Sequence, residues 1–172
     1  MGWKDIYKNE VNELYILIKM EIKYFDGDVL TSTAPIIMHQ VNCKGAMNSG
    51  VAKEIREKWP VVYDEYLRFY QNIPTNILLG TTQFVKIGTD RYIANLFAQE
   101  RYGYNGVRYT SYDAIDKCLK SVARNAENGE IDRVAMPYKM SSDRGGADWD
   151  VILSLVNSAF KDTDITIEIW KL

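Results

Sequence analysis

Ile36-Ile37-Met38-His39-Gln40-Val41 runs into Asn42-Cys43-Lys44-Gly45-Ala46-Met47-Asn48-Ser49-Gly50, and that loop runs into Val51-Ala52-Lys53-Glu54-Ile55-Arg56-Glu57-Lys58. The first six residues are a short, nearly continuous apolar run, the pattern of a strand buried on both faces of a sheet. The middle nine are polar and small, with glycines at both ends of the turn, so they read as a loop. The last eight predict a helix, with Ser49 or Asn48 as its cap. Trp59-Pro60 ends that helix, and a second is expected over Val61 to Tyr70.

Working upstream, Ile16, Ile18, Met20, Ile22 and Tyr24 alternate with Leu17, Lys19, Glu21 and Lys23, the period of a half-buried strand. Residues 1–14 read as a polar N-terminal extension, and 15–172 as the domain proper. Downstream, Gln83–Ile87 and Tyr92–Phe97 are expected to pair as a hairpin through Gly88-Thr89-Asp90. Ala114, Ile115, Cys118, Leu119, Val122, Ala123 and Ala126 share one face of a helix over Thr110 to Asn128, with Thr110 as cap and Gly129 as stop. Arg133–Tyr138 predicts another buried strand. The glycine-bearing loop Ser141–Ala147 then leads into a helix from Asp148 to Phe160, and Ile165, Ile167 and Ile169 mark a last strand. Strands alternate with helices, so the class is α/β.

Composition limits what such a chain can do. With 172 residues, 47% apolar and 26% charged, it is the size and type of one globular domain. Twenty-one basic against 23 acidic residues give a net charge of −2, and no nucleic-acid partner is expected from that balance. Cys43 and Cys118 are too few for a disulfide framework. The single histidine, His39, leaves no site needing two imidazoles, and no metal is expected. No apolar run approaches the length of a membrane span. The start Met1-Gly2-Trp3-Lys4-Asp5-Ile6 is not a signal peptide, so a cytoplasmic, monomeric protein is expected.

Chemistry concentrates in the two loops. Gly45, Ser49 and Gly50 allow a ligand to approach the backbone closely, and the loop ends at a helix N-terminus, whose free N–H groups and dipole favour a phosphate. Ser141-Ser142-Asp143-Arg144-Gly145-Gly146-Ala147 is built the same way, after a strand and before a helix. Two such loops suit a diphosphate. Neither ends in Gly-Lys-Ser/Thr, and neither is GxGxxG, so both common phosphate fingerprints are absent. The alternative is that the glycines only make tight turns.

The segment from His39 to Ala52 closely resembles the first ligand loop of macro domains. Gly27-Asp28-Val29-Leu30 resembles their preceding "GD" turn, and Ile93-Ala94-Asn95-Leu96-Phe97-Ala98-Gln99 their middle strand. Met136-Pro137-Tyr138 through Gly145-Gly146-Ala147-Asp148-Trp149 resembles their second loop. The branch most alike includes ADP-ribose 1''-phosphate phosphatases and phage macro proteins. The resemblance implies a mixed sheet between two helical layers and a site for ADP-ribose or a derivative, with no cofactor. It implies adenine contact by Asp28, with Val29 beside it, and contact of Asn42 with the distal ribose. Lys44, Gly45, Ala46, Met47, Asn48, Ser49, Gly50 and Val51 would line that ribose and the diphosphate. Ser141, Ser142, Asp143, Arg144, Gly145, Gly146 and Ala147 would wrap the phosphates, and Phe97 and Tyr138 would form the pocket wall. Two departures stand out. Asp143 and Ala147 occupy positions where relatives commonly carry glycine. Gln99 stands where some relatives that remove ADP-ribose from proteins use a lysine.

Asp148 can be read as a general base or nucleophile on phosphorus, or as a helix cap complementing the dipole. His39 can protonate a leaving group or orient a phosphate, or it is a satisfied core histidine. If the strand is regular, His39 and Val41 share one face and Asn42 faces the other way. Tyr102, Tyr104, Tyr109 and Tyr112, with Arg101 and Arg108, form either a lid, a stacking surface or a loop anchored by tyrosines. The expected function is a hydrolase removing the terminal phosphate of ADP-ribose 1''-phosphate, with Asp148 and His39 as catalytic residues. The alternatives are a binder or sink of an ADP-ribose-derived nucleotide, or a hydrolase removing ADP-ribose from protein or nucleic acid.

Overall fold

The computed structural model describes residues 20–172. The expected polar extension over 1–14 and the first residues of the alternating strand lie outside the described residues. The sheet has six strands, β1 (Glu21–Asp26), β2 (Ile36–Asn42), β3 (Thr82–Gly88), β4 (Arg91–Gln99), β5 (Arg133–Pro137) and β6 (Thr166–Lys171). Their order is β1-β6-β5-β2-β4-β3, with β3 antiparallel to β4 and every other pair parallel. The helices are α1 (Gly50–Lys58), α2 (Pro60–Asn72), the single turn α3 (Thr75–Leu78), α4 (Tyr112–Asn128) and α5 (Trp149–Phe160). A short 3-10 turn, Val29–Thr31, follows β1.

Alternation along the central strands sorts two apolar layers. Ile36, Met38, Ala94, Leu96, Val134, Met136, Ile167 and Ile169 pack against Ile115, Cys118, Leu119 and Val122 of α4 and Ile152, Val156 and Phe160 of α5. Ile37, Val41, Ile93, Phe97 and Ala135 pack on the other side against Ile55 of α1 and Val62 and Tyr66 of α2. The result is the expected three-layer α/β sandwich with a mixed sheet.

Three details differ from the sequence reading. The cap of α4 is Ser111, whose side chain accepts from the Ala114 N–H, while Thr110 is buried in a different network. Ser49 precedes α1 but makes no side-chain cap. Tyr24 on β1, an edge strand of the sheet, is 62% exposed, and its neighbour Phe25 stacks on Trp170 at 4.8 Å.

A register shift falls between Val41 and Asn42, where β2 leaves β4. Such an irregularity re-aims a side chain at the end of a strand. Asn42 therefore reaches Tyr66, on the same side as Ile37 and Val41, rather than the opposite side that regular alternation predicts.

Candidate functional site

Strands β2, β4 and β5 are parallel, so Asn42, Gln99 and Pro137 end at the same edge of the sheet, the place where α/β sheets gather their ligand loops. A cleft of about 430 Å³ lies there, within the range of small-molecule sites. Its walls are His39 to Asn42 from β2, Ala46 and Asn48 to Ala52 from the first loop and α1, Gln99 from β4, and Tyr102, Gly103 and Tyr104. Pro137 to Ser141 and Asp143 to Gly145 close the other side. The first loop and the second loop thus face each other across one space.

The first loop is shaped by Asn42, which is buried. Its Oδ1 accepts from Lys44 N at 2.9 Å, Ala46 N at 3.4 Å and the Tyr66 hydroxyl at 2.8 Å, and its Nδ2 donates to Ala46 O at 2.8 Å. One side chain thereby replaces the ladder that the strand has just lost. Gly45 follows at φ +74°, where a Cβ would meet the Tyr70 ring at 2.9 Å. Lys44 points out to solvent, and Met47 is buried in the core.

The second loop is held through Gln40, which the sequence reading did not single out, and through Gln99, Thr110 and Ser141 in roles it did not give them. Gln40 Nε2 donates to Gln99 Oε1 at 2.7 Å and to Thr110 Oγ1 at 2.8 Å, while its Oε1 accepts from Ser141 Oγ at 2.5 Å. Thr110 Oγ1 donates to Ser141 O at 3.0 Å. The N–H groups of Tyr109 and Thr110 both donate to Gly145 O, and Ala147 N donates to Ser141 O. A signal was present: Gln40 is polar inside an apolar strand, and a half-buried amide there calls for partners. Gly145 fits only without a side chain, since a Cβ there would overlap Thr110 Oγ1 and Ser141 O and stand 2.9 Å from Gln40 Nε2.

The expected site residues are not all brought together. Asn42, Ala46, Asn48, Ser49, Gly50, Val51, Tyr138, Ser141, Asp143, Arg144, Gly145 and His39 border the cleft. Phe97 is fully buried between the sheet and α2, stacked on Tyr66 at 5.5 Å, so it supports the wall from behind. Ala147 is buried under the loop. Asp28 caps the 3-10 turn through Leu30 N at 2.8 Å, and Val29 is buried. Asp148 is exposed and is the N-cap of α5, accepting from Asp150 N at 2.9 Å. Asp143 accepts from the Tyr104 hydroxyl at 3.4 Å, and the Arg144 guanidinium lies 5.0 Å from the same ring. The acidic and basic side chains of the second loop thus both engage Tyr104, a residue of the tyrosine-rich segment after β4.

His39 is buried at the cleft floor, with Nε2 at 2.6 Å from Asn95 Oδ1 and Nδ1 without a protein partner. Burial pushes its imidazole down to about 4, against the smaller raising effect of the Asn95 hydrogen bond. The folded protein therefore holds this ring neutral where the unfolded chain, titrating near 6.5, takes up a proton. Above about pH 6.5 the ring contributes no pH dependence, and stability falls as pH drops from 6.5 towards 4, by about 3 kcal/mol. Urea unfolding of wild type and His39→Gln at pH 7 and pH 4.5 checks this: the variant is expected to show a shallower loss, and equal losses in both proteins contradict it. Burial also pushes the Cys43 thiol up to about 11 and the Cys118 thiol up to about 12, so neither is a ready nucleophile. Among the described residues no three His, Cys, Asp or Glu side chains cluster as a metal site, and no helix is long and apolar enough to cross a membrane.

The sequence profile of the Macro domain family matches residues 38–156, more than half of the chain, from the middle of β2 into α5. The chain belongs to the Macro domain family. The macro domain is 24% identical over 156 residues to an uncharacterized 17.5 kDa protein of Enterobacteria phage T4, covering 88% of this chain and 98% of that protein. It is 25% identical over 152 residues to the DNA ADP-ribosyl glycohydrolase of Mycobacterium tuberculosis, covering 85% of this chain and 41% of that protein. It also matches the fold of Thermosipho africanus DarTG, solved in complex with ADP-ribose, with a TM-score of 0.72 at 16% identity over 88% of this chain and 42% of that one. Both the expected family and the expected fold class are therefore found. The matched span also takes in Gln40, Gln99 and Thr110, so the network behind the second loop is part of the macro domain itself.

Proposed function

We propose that the cleft binds ADP-ribose and that the chain hydrolyses a bond at its distal ribose, releasing phosphate from ADP-ribose 1''-phosphate. The observation that supports this most is the pair of strand-to-helix loops facing each other over one cleft, the first opening α1 and the second opening α5. Backbone N–H groups at such ends hold anionic oxygens without any excess of basic side chains, which suits a chain of net charge −2. On this reading the first loop positions the distal ribose and the second loop takes the diphosphate. Asp148, the exposed N-cap of α5 next to the second loop but not among the residues that border the cleft, is the proposed base or nucleophile, and His39 acts from the floor. Calorimetric titration with ADP-ribose, followed by phosphate release from ADP-ribose 1''-phosphate, tests it. The expected result is one-to-one binding, turnover above a blank, and loss of turnover in Asp148→Ala with binding kept. Binding without turnover would reduce the protein to a sink for the nucleotide, and full turnover in Asp148→Ala would remove that residue from the mechanism.

A second reading, removal of ADP-ribose from nucleic acid, draws support from the likeness to the mycobacterial glycohydrolase. Gln99 constrains how it would work. Its Oε1 accepts from Gln40 and its Nε2 donates to Arg101 O at 2.9 Å, so this position offers no amine for a covalent adduct. Release of ADP-ribose from ADP-ribosylated DNA by the wild-type protein, in the same assay series, distinguishes the two.

A further inference from the structure

A row of buried amides crosses the sheet from β3 to β2 and ends on the cleft floor. Gln83 Nε2 donates to Glu65 O of α2 at 2.8 Å, which leaves its Oε1 as acceptor. Asn95 Nδ2 donates to that oxygen at 3.0 Å, which leaves Asn95 Oδ1 as acceptor. His39 Nε2 stands 2.6 Å from Asn95 Oδ1 and has to be the donor. Gln83 and Asn95 are 4% and 0% exposed, so neither amide has water with which to reverse its direction. Which ring nitrogen of a neutral histidine carries the proton is set by the partner of the other, and here the direction is imposed from Glu65 O, three side chains away.

We infer that Asn95 and Gln83 are positioning residues that fix His39 as the Nε2–H tautomer, so that Nδ1 offers the bound ligand a lone pair and the ring serves as a hydrogen-bond acceptor for a hydroxyl group. Nδ1 is buried, without a protein partner, on a residue that borders the cleft. A buried acceptor left bare is costly, and a ligand hydroxyl offsets that cost while a bare phosphate oxygen, having no proton to donate, does not. The distal ribose of ADP-ribose supplies such hydroxyls. The inference rests on the proposed occupancy of the cleft by ADP-ribose, and it replaces leaving-group protonation by His39 with hydroxyl recognition.

Ring-nitrogen NMR tests it directly, because the chain has a single histidine and hence one pair of imidazole nitrogens. At pH 7 the free protein is expected to show a protonated Nε2 and an unprotonated Nδ1. Saturating ADP-ribose is expected to move the Nδ1 resonance towards its hydrogen-bonded position and leave Nε2 in place. In Asn95→Leu the two tautomers are expected to mix, with ADP-ribose affinity down about tenfold, the worth of roughly one hydrogen bond. Gln83→Met, which leaves Asn95 in place, is expected to mix them partially and serves if the first variant does not fold. A protonated Nδ1 in the free protein overturns the inference, as does wild-type tautomer balance in both folded variants. No calorimetric binding of ADP-ribose overturns the occupancy of the cleft, whereas binding with an unmoved Nδ1 overturns the acceptor role alone.

Discussion

Gly145→Ala is expected to lose most ADP-ribose binding and to unfold at a lower temperature than the wild type. The added methyl would overlap Thr110 Oγ1 and Ser141 O and press on Gln40 Nε2. Ser141 O is backbone, and the Thr110 and Gln40 side-chain ends can move aside only by breaking their hydrogen bonds to Gln99, to Ser141 and to each other. Overpacking of this sort costs roughly 2–3 kcal/mol, which in a domain of this size lowers Tm by roughly 5–10 °C. The loop has one cheaper escape, to swing outward and break the bonds from Tyr109 N and Thr110 N to Gly145 O. That escape opens the second-loop side of the cleft, where the diphosphate is proposed to sit, so affinity is expected to fall by more than about tenfold even if stability falls less. Scanning calorimetry and titration with ADP-ribose read the two effects separately. A variant with unchanged Tm and unchanged affinity would sink the account of this loop.

Asn42→Ala is expected to cost about 3 kcal/mol and to weaken binding together with stability. The substitution leaves two backbone N–H groups and the Ala46 carbonyl to find new partners in a largely buried site, and the Tyr66 hydroxyl keeps only the Asn42 carbonyl as acceptor. Tyr66→Phe removes one of those donors and is expected to cost about 1 kcal/mol. The two residues share a hydrogen bond, so the double variant is expected to lose less than the sum of the single ones. Urea unfolding of the four proteins measures this coupling, and strict additivity would mean that Asn42 and Tyr66 act independently.

The strand–loop–helix stretch beginning at Ile36 was legible because its apolar run, its small polar loop and its helix cannot be traded for one another. The layers followed from alternation on β4, β5 and β6 and from the apolar face of α4. What stayed hidden depended on atoms brought together from far apart. Thr110 reads as a cap because it stands just ahead of a helical pattern, yet Ser111 takes that place and Thr110 turns inward to Gln40 and Ser141. The aim of Asn42 depended on a register shift against β4, which no property of β2 alone announces. Tyr24 reads as an inward position of an alternating strand, but the described part of β1 lies at the edge of the sheet, a matter of topology, and leaves it exposed.

Gln40 touches three segments that enter the cleft from different parts of the chain, and this has a thermodynamic consequence. The rotamers of Gln40, Gln99, Thr110 and Ser141 are already spent when the protein folds, before any ligand arrives. A nucleotide entering this cleft meets a mould that is set, and the ordering cost of association then falls on the ligand and on the Tyr104 segment. Tightening of the protein on binding should accordingly be confined to that segment and to the second-loop N–H groups that have no partner in the free protein, while the bonded amides of Tyr109, Thr110 and Ala147 exchange slowly in the free and the bound protein alike.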